Sequence, residues 1–116
     1  MTSGLGIDIV EVKRIKGLCQ RFGDRFLKRV FAQNEIAYCF LHKDPYPHLA
    51  ARFAAKEAFV KASGLVEFSF REISVDKNGD SPVLSLKGVK REDFLISLSH
   101  TRDYAVAVVI MKGEKP

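Results

Sequence analysis

Glu57 and Lys61 are the residues of this chain whose types and spacing best suit chemistry. They lie in Arg52-Phe53-Ala54-Ala55-Lys56-Glu57-Ala58-Phe59-Val60-Lys61-Ala62, which contains neither Gly nor Pro and reads as a helix. Wound at about 100° per residue, the stretch divides in two. Arg52, Lys56, Glu57 and Lys61 share one side with Phe53 and Val60, while Ala54, Ala55, Ala58 and Ala62 share the other with Phe59. A glutamate is a hard oxygen ligand for Mg²⁺, and a lysine one turn on is a point charge for phosphate oxygens. The charged side therefore suits a partly buried site for phosphates and a divalent metal. The alanine side admits a neighbouring element at close range. On a solvated helix the same Glu-then-Lys pair would serve only as an ion pair worth about 0.2–0.5 kcal/mol. Taken alone, the stretch does not choose between the two.

A second carboxylate sits where it is costly. Gly4-Leu5-Gly6-Ile7-Asp8-Ile9-Val10 alternates as a short strand, with Leu5, Ile7 and Ile9 on one face and Gly6, Asp8 and Val10 on the other. A carboxylate inside an apolar strand costs several kcal/mol unless it is paired, bound to metal or at the strand's edge. Asp8 is therefore a second metal-ligand candidate, or else it ends the strand and caps the next helix.

The elements that must position these groups follow in order. Glu11 to Phe22 reads as an amphipathic helix with Val12, Ile15, Leu18, Cys19 and Phe22 inward. Its outer face is nearly all cationic, and beyond the Gly23-Asp24 break Arg25, Lys28 and Arg29 extend it. Gln33 to about Leu41 is a further helix, with Ile36, Ala37 and Phe40 expected inward. His42 to Pro47 is a loop, and His42 and His48 are expected to be exposed and without chemistry. The main helix starts near Pro47 or His48 and ends at Ser63-Gly64. Strands then take over. Ile73-Ser74-Val75 and Val83-Leu84-Ser85-Leu86 flank the Asn78-Gly79 turn as a hairpin. Lys87 to Asp93 is a polar connection. Phe94 to His100 and Tyr104 to Met111 are strands joined by a tight turn, the second so apolar that it should be central and covered on both faces. Lys112 to Pro116 reads as a loose tail. Helices first and strands second, with one strand leading, predict an α+β fold of helices packed on a mainly antiparallel sheet.

Composition bounds the function. At 116 residues, 47% hydrophobic and 28% charged, residues 1–116 form a single globular domain. The net charge of +5 calls for an acidic partner. Cys19 and Cys39 lie in apolar helical patterns and read as reduced core residues, not a disulfide or a zinc site. No secretory pattern and no membrane-length apolar run is present, so a cytoplasmic setting without membrane association is expected.

Three stretches then coincide: Gly6-Ile7-Asp8, Phe53 to Lys61, and Ser97-Leu98-Ser99-His100-Thr101. Together they resemble the 4′-phosphopantetheinyl transferases. The short length and the Arg52-Phe53 opening are similar to the small bacterial type, the holo-[acyl-carrier-protein] synthases. The likeness spans nearly the whole chain. Each motif alone is weak, but all three in this order are specific. The resemblance implies the 4′-phosphopantetheinyl transferase fold. It also implies transfer of the 4′-phosphopantetheine arm from coenzyme A to a serine of apo acyl carrier protein, releasing adenosine 3′,5′-bisphosphate. Asp8 and Glu57 match the family's Mg²⁺ carboxylates, and Lys61 the lysine that neutralises the pyrophosphate. Glu57, or a metal-polarised water beside it, would take the serine's proton. Arg52, Lys56, Lys61 and His100, with the Asn78-Gly79 loop, match positions around coenzyme A. Arg14, Arg21, Arg25 and Lys28 match a docking face for the small, acidic carrier. The small type is typically a homotrimer with sites between subunits, its apolar C-terminal strands helping to form the interface.

Two departures stand out. The loop that commonly reads Asn-Gly-Lys-Pro is here Asn78-Gly79-Asp80-Ser81-Pro82, losing a lysine and gaining an acid, which disfavours a phosphate unless Asp80 points away. Ala32 stands where the family often has a helix-capping threonine, a cap worth about 1 kcal/mol. Two other functions compete. An impaired relative that still binds coenzyme A is prompted by the altered loop. A basic nucleic-acid-binding module would use the cationic helix. Against the latter, no aromatics interleave with the basic face and no helix-turn-helix or zinc pattern is present, so no nucleic-acid partner is expected.

Overall fold

The computed structural model describes residues 2–79 and 81–113, without the side chains of Thr2, Ser3 and Asn78. Asp80, the Asn78 side chain and the last three residues of the expected tail lie outside the described residues. The elements run β1 (Thr2–Glu11), α1 (Val12–Phe22), α2 (Asp24–Val30), α3 (Gln33–Cys39) and α4 (Tyr46–Ser63). A 3₁₀ turn (Phe70–Glu72) leads to β2 (Ile73–Asn78), β3 (Ser81–Leu86), β4 (Val89–Lys90), β5 (Phe94–His100) and β6 (Tyr104–Lys112). This is the expected α+β layout. The pairings are antiparallel, and the strands divide into two three-stranded sheets, ordered β1-β6-β5 and β2-β3-β4.

The alanine face of α4 does what small residues allow. A Cβ on Gly4 would lie 1.9 Å from the Ala62 carbonyl oxygen, and one on Gly6 1.9 Å from that of Ala58. Only hydrogen fits there, so β1 lies directly on the helix backbone. Ala54, Ala55, Ala58, Phe59 and Ala62 have no exposed surface, and Ala105, Ala107, Val109 and Met111 of β6 pack on the same side. The helix ends as expected at Gly64, in the left-handed region at φ 73°.

Three expectations need correction. β6 is central but covered on one face only. Val106, Val108 and Ile110 are half-buried on the other, beside Leu5, Ile7 and Ile9 at 63%, 57% and 65% exposure. The helices of one chain reach only one side of this sheet. In α3 the fully buried residues are Glu35 and Cys39; Ile36 packs partly buried against the core as expected, while Ala37 and Phe40 are exposed. Glu35 turns inward to meet a buried cation from α4, and Cys39, four residues on, follows it. In α1 only Val12 and Ile15 are buried, and Phe22 is exposed. The connection after β3 also carries the short strand β4, entered through Lys87 (φ 50°) and Gly88 (φ 80°). Cys19 and Cys39 are both free thiols.

Candidate active site

The β1–α4 contact brings the two candidate carboxylates towards each other. Gly4 meets Ala62 and Gly6 meets Ala58, so each two-residue step along β1 matches one helical turn back along α4. The next step sets Asp8 level with the turn that carries Glu57. Lys61 joins the pair from the other side: its Nζ donates to the Ile7 carbonyl at 2.9 Å and to Asp8 Oδ1 at 3.2 Å. Lys61 thus turns to Asp8 and not to Glu57, so the i,i+4 ion pair does not form. Asp8 does not cap α1 either, because β1 continues to Glu11 and that residue occupies the N-cap without a side-chain bond.

Glu57 is half-buried, and among the described residues no cation lies within ion-pair distance of it. Two hard carboxylates with free oxygen capacity and an adjoining ammonium fit Mg²⁺, which keeps several waters and takes few protein ligands. Among the described residues no cluster of three or more His, Cys, Asp or Glu is present, so an ion held here would rest on few protein ligands.

Arg52 and His100 belong to a different place. They line a cavity of about 380 Å³ with Tyr38, His48, Lys77 and Pro82. Arg52 is 3% exposed, its guanidinium carbon 4.4 Å from the centre of the Tyr38 ring. It donates through Nη1 to the His48 carbonyl at 3.4 Å, while its buried Nε has no partner. A buried donor without a partner calls for an explanation, and Arg52 is also a wall of this cavity. Lys77 Nζ lies 5.5 Å from the same ring, so two cations flank one aromatic. This cavity meets β5, whereas Asp8 is on β1. Those strands flank β6, roughly 9–10 Å apart. Gly79 lies in the turn between β2 and β3, whose strands contribute Lys77 and Pro82 to the cavity.

Lys56 is a correction. Expected near coenzyme A, it is fully buried, and its three N–H groups go to Glu35 Oε1 at 2.6 Å, to the Phe70 carbonyl at 2.9 Å and to the Ile73 carbonyl. No donor remains for a ligand. Burial pulls its pKa below the ordinary lysine value, and Glu35 opposes that pull. Glu35, unforeseen as a core residue, also accepts from Ala32 N at 2.9 Å and Val75 N at 3.0 Å. The signal for it was its place three residues after the Ala32 cap, where a glutamate bonds back to the N-cap amide.

His42 and His48 were also misplaced. Both are half-buried, and together with His100 they form one aromatic cluster at the cavity.

The docking candidates Arg14, Arg21, Arg25 and Lys28 are all exposed on α1 and α2. Arg21 lies 5.1 Å over the exposed Phe22 ring. Arg25 and Arg29 rim a cavity of about 220 Å³ whose walls are Leu18, Phe22 and Phe26. Cations around an apolar notch suit an acidic partner with an apolar contact residue. Among the described residues no helix is long and apolar enough to cross a membrane.

Residues 4–109 match the family model of the 4′-phosphopantetheinyl transferase superfamily. A holo-[acyl-carrier-protein] synthase of Thermodesulfovibrio yellowstonii is 46% identical, covering 96% of this chain and 99% of that protein. The crystal structure of such a synthase from Neisseria meningitidis superposes with a TM-score of 0.84 at 32% identity, over 97% of this chain and all of that one (100%). A Bacillus anthracis synthase crystallised in complex with coenzyme A (3′,5′-ADP) gives a TM-score of 0.80 at 34% identity, over 98% and 99% of the two chains.

Proposed function

The chain belongs to the 4′-phosphopantetheinyl transferase superfamily, and we propose that it moves the 4′-phosphopantetheine arm of coenzyme A onto a serine hydroxyl of apo acyl carrier protein. The observation that carries the site assignment is the meeting of Asp8 with Lys61, one helical turn along α4 from the unpaired carboxylate of Glu57. In the reaction the serine Oγ–phosphorus bond forms and the bond from that phosphorus to the bridging pyrophosphate oxygen breaks. The bridging oxygen leaves on adenosine 3′,5′-bisphosphate.

Asp8 and Glu57 would hold Mg²⁺, which supplies charge neutralisation and orientation of the pyrophosphate. Lys61 stands against the same anion, its ammonium fixed by Asp8 and the Ile7 carbonyl. Glu57 is the acceptor on this chain for the serine proton. Arg52, His100 and the Asn78-Gly79 loop take the nucleotide end. Lys61 spans both roles as pyrophosphate ligand. Arg14, Arg21, Arg25 and Lys28 dock the acidic carrier and mainly set association rate and salt sensitivity. The whole chain works as one catalytic domain, and the cytoplasm is the setting in keeping with its free thiols.

A homotrimer with sites between subunits is part of this reading. Two features support it. The open apolar face of β1 and β6 is larger than scattered surface hydrophobics explain. Asp8 on β1 and the β5 side of the Arg52 cavity also lie on opposite edge strands of one sheet, so a neighbour's cavity can complete a site begun by Asp8 and Glu57. Light scattering is expected to give the mass of three chains. A monomer that is fully active would end the shared-site reading.

The activity is tested by intact mass of an apo acyl carrier protein incubated with this protein, coenzyme A and Mg²⁺, with and without chelator. The expected result is a metal-dependent gain of one phosphopantetheine arm on the carrier's serine. No gain with several carrier proteins, from folded enzyme, would overturn the transferase in favour of an impaired coenzyme A-binding relative.

A further inference from the structure

All three histidines of the chain meet, although they come from three segments. His42 follows α3, His48 lies in the first turn of α4 and His100 ends β5. The His42 and His48 rings stack with centres 3.6 Å apart and planes at 20°, and His100 meets His48 edge-on at 4.9 Å. Tyr38 closes the group at 4.9 Å from His42 and 6.1 Å from His48. Among the described residues the charged and titratable groups facing His48 are His42, His100, Arg52, Lys77 and Tyr38. Not one of them is an acid.

Two stacked imidazoles at this separation resist carrying charge together, since like charges about 4 Å apart repel by about 4 kcal/mol at an effective dielectric of 20. Burial, then His42, His100, Arg52 and Lys77, push the His48 pKa down to about 4. The free protein therefore keeps His48 neutral beside two fixed cations and the unpartnered Nε of Arg52. We propose that the three-histidine stack takes a phosphate monoester dianion together with a proton.

This rests on the reading that the cavity receives the nucleotide end of coenzyme A. Coenzyme A carries one phosphate monoester, at the 3′ position, and its second proton leaves near pH 6. Its pyrophosphate oxygens have no comparable proton. A dianion at the cavity reverses the local field. Each negative charge about 4 Å from an imidazole raises its pKa by roughly 3 units at that dielectric. The bound pKa then exceeds the free one, and a proton is taken up wherever the pH lies between them. Binding of the monoester consequently tightens as pH falls towards neutrality.

The test is calorimetric titration of the full chain with coenzyme A and with dephospho-coenzyme A. It is run between pH 7 and 8, where the monoester is already a dianion, in buffers of different ionisation enthalpy. Two such charges carry the bound value above about pH 8, so coenzyme A is expected to bring close to one proton, and dephospho-coenzyme A close to none. The preference for coenzyme A should then fall about tenfold from pH 7 to pH 8. The His42→Gln/His48→Gln double variant should lose most of that uptake and pH dependence while still binding dephospho-coenzyme A. Selective coenzyme A binding without proton uptake would overturn this inference and leave the nucleotide reading intact. Equal binding of the two compounds would overturn both. If the double variant does not fold, the proton count of the wild-type chain decides alone.

Discussion

Glu57→Gln is expected to lower the transfer rate about 10³-fold or more while leaving the melting temperature nearly unchanged. The amide has the shape of the carboxylate but neither its charge nor its basicity. Among the described residues the carboxylate pairs with no cation, so its loss breaks no ion pair. On the proposed reading, what is lost is one of two Mg²⁺ carboxylates and the chain's acceptor for the serine proton. General-base catalysis alone is worth about 10²–10⁴-fold. The measurement is carrier mass gain against time at saturating coenzyme A, across a Mg²⁺ series. A low rate at every Mg²⁺ concentration assigns the proton role. A rate recovered at high Mg²⁺ assigns only the ligand role. A near-normal rate at ordinary Mg²⁺ refutes both. Asp8→Asn is the natural companion, but it also unpairs Lys61, so Glu57→Gln is the cleaner probe.

Glu57, Lys61 and Asp8 stood out in the sequence as candidates because each broke a local rule. Asp8 is a charge in an apolar strand, and Glu57 and Lys61 stand with Arg52 and Lys56 in an otherwise apolar, alanine-rich stretch of helix. Their resolution was not legible. Lys61 chose Asp8 over Glu57 because β1 packs within hydrogen-atom clearance of α4, and that contact depends on Gly4 and Gly6 from far along the chain. The Asn78-Gly79 hairpin and the Gly64 stop were readable from backbone preference alone. The histidine cluster was not, because its members share neither a helix face nor a strand register. Only the packing of α4 against β5 brings His48 to His100. The open face of β6 was misjudged for a related reason: an apolar strand reads the same whether a helix or another molecule covers it.

Lys56 is the clearest such failure, and it carries the second large prediction. On the helical projection it sits with Arg52, Glu57 and Lys61, yet it is wholly buried in a ring of acceptors. Its ammonium ties α4 to Glu35 of α3, to the 3₁₀ turn at Phe70 and to the start of β2 at Ile73. Glu35 in turn holds the Ala32 and Val75 amides. Removing one partner of such a pair strands the other charge in the core, which costs about 3–5 kcal/mol. Lys56→Met, which fills similar volume, should therefore lower the melting temperature by roughly 10–20 °C. Glu35→Leu alone should cost as much, since it leaves the ammonium buried and frees two amides. The double variant should be less destabilised than the sum of the two, because neither charge is left behind. Urea melts of the four proteins complete the cycle. If the two single losses simply add, the pair is not coupled, and the fold is held at this point by the carbonyl bonds of Lys56 and the amide bonds of Glu35 acting separately. If the double variant recovers several kcal/mol, the ion pair itself joins α3, α4 and β2. It would then be the strut that fixes the rotation of α4, and with it the direction in which the neighbouring Glu57 presents its carboxylate.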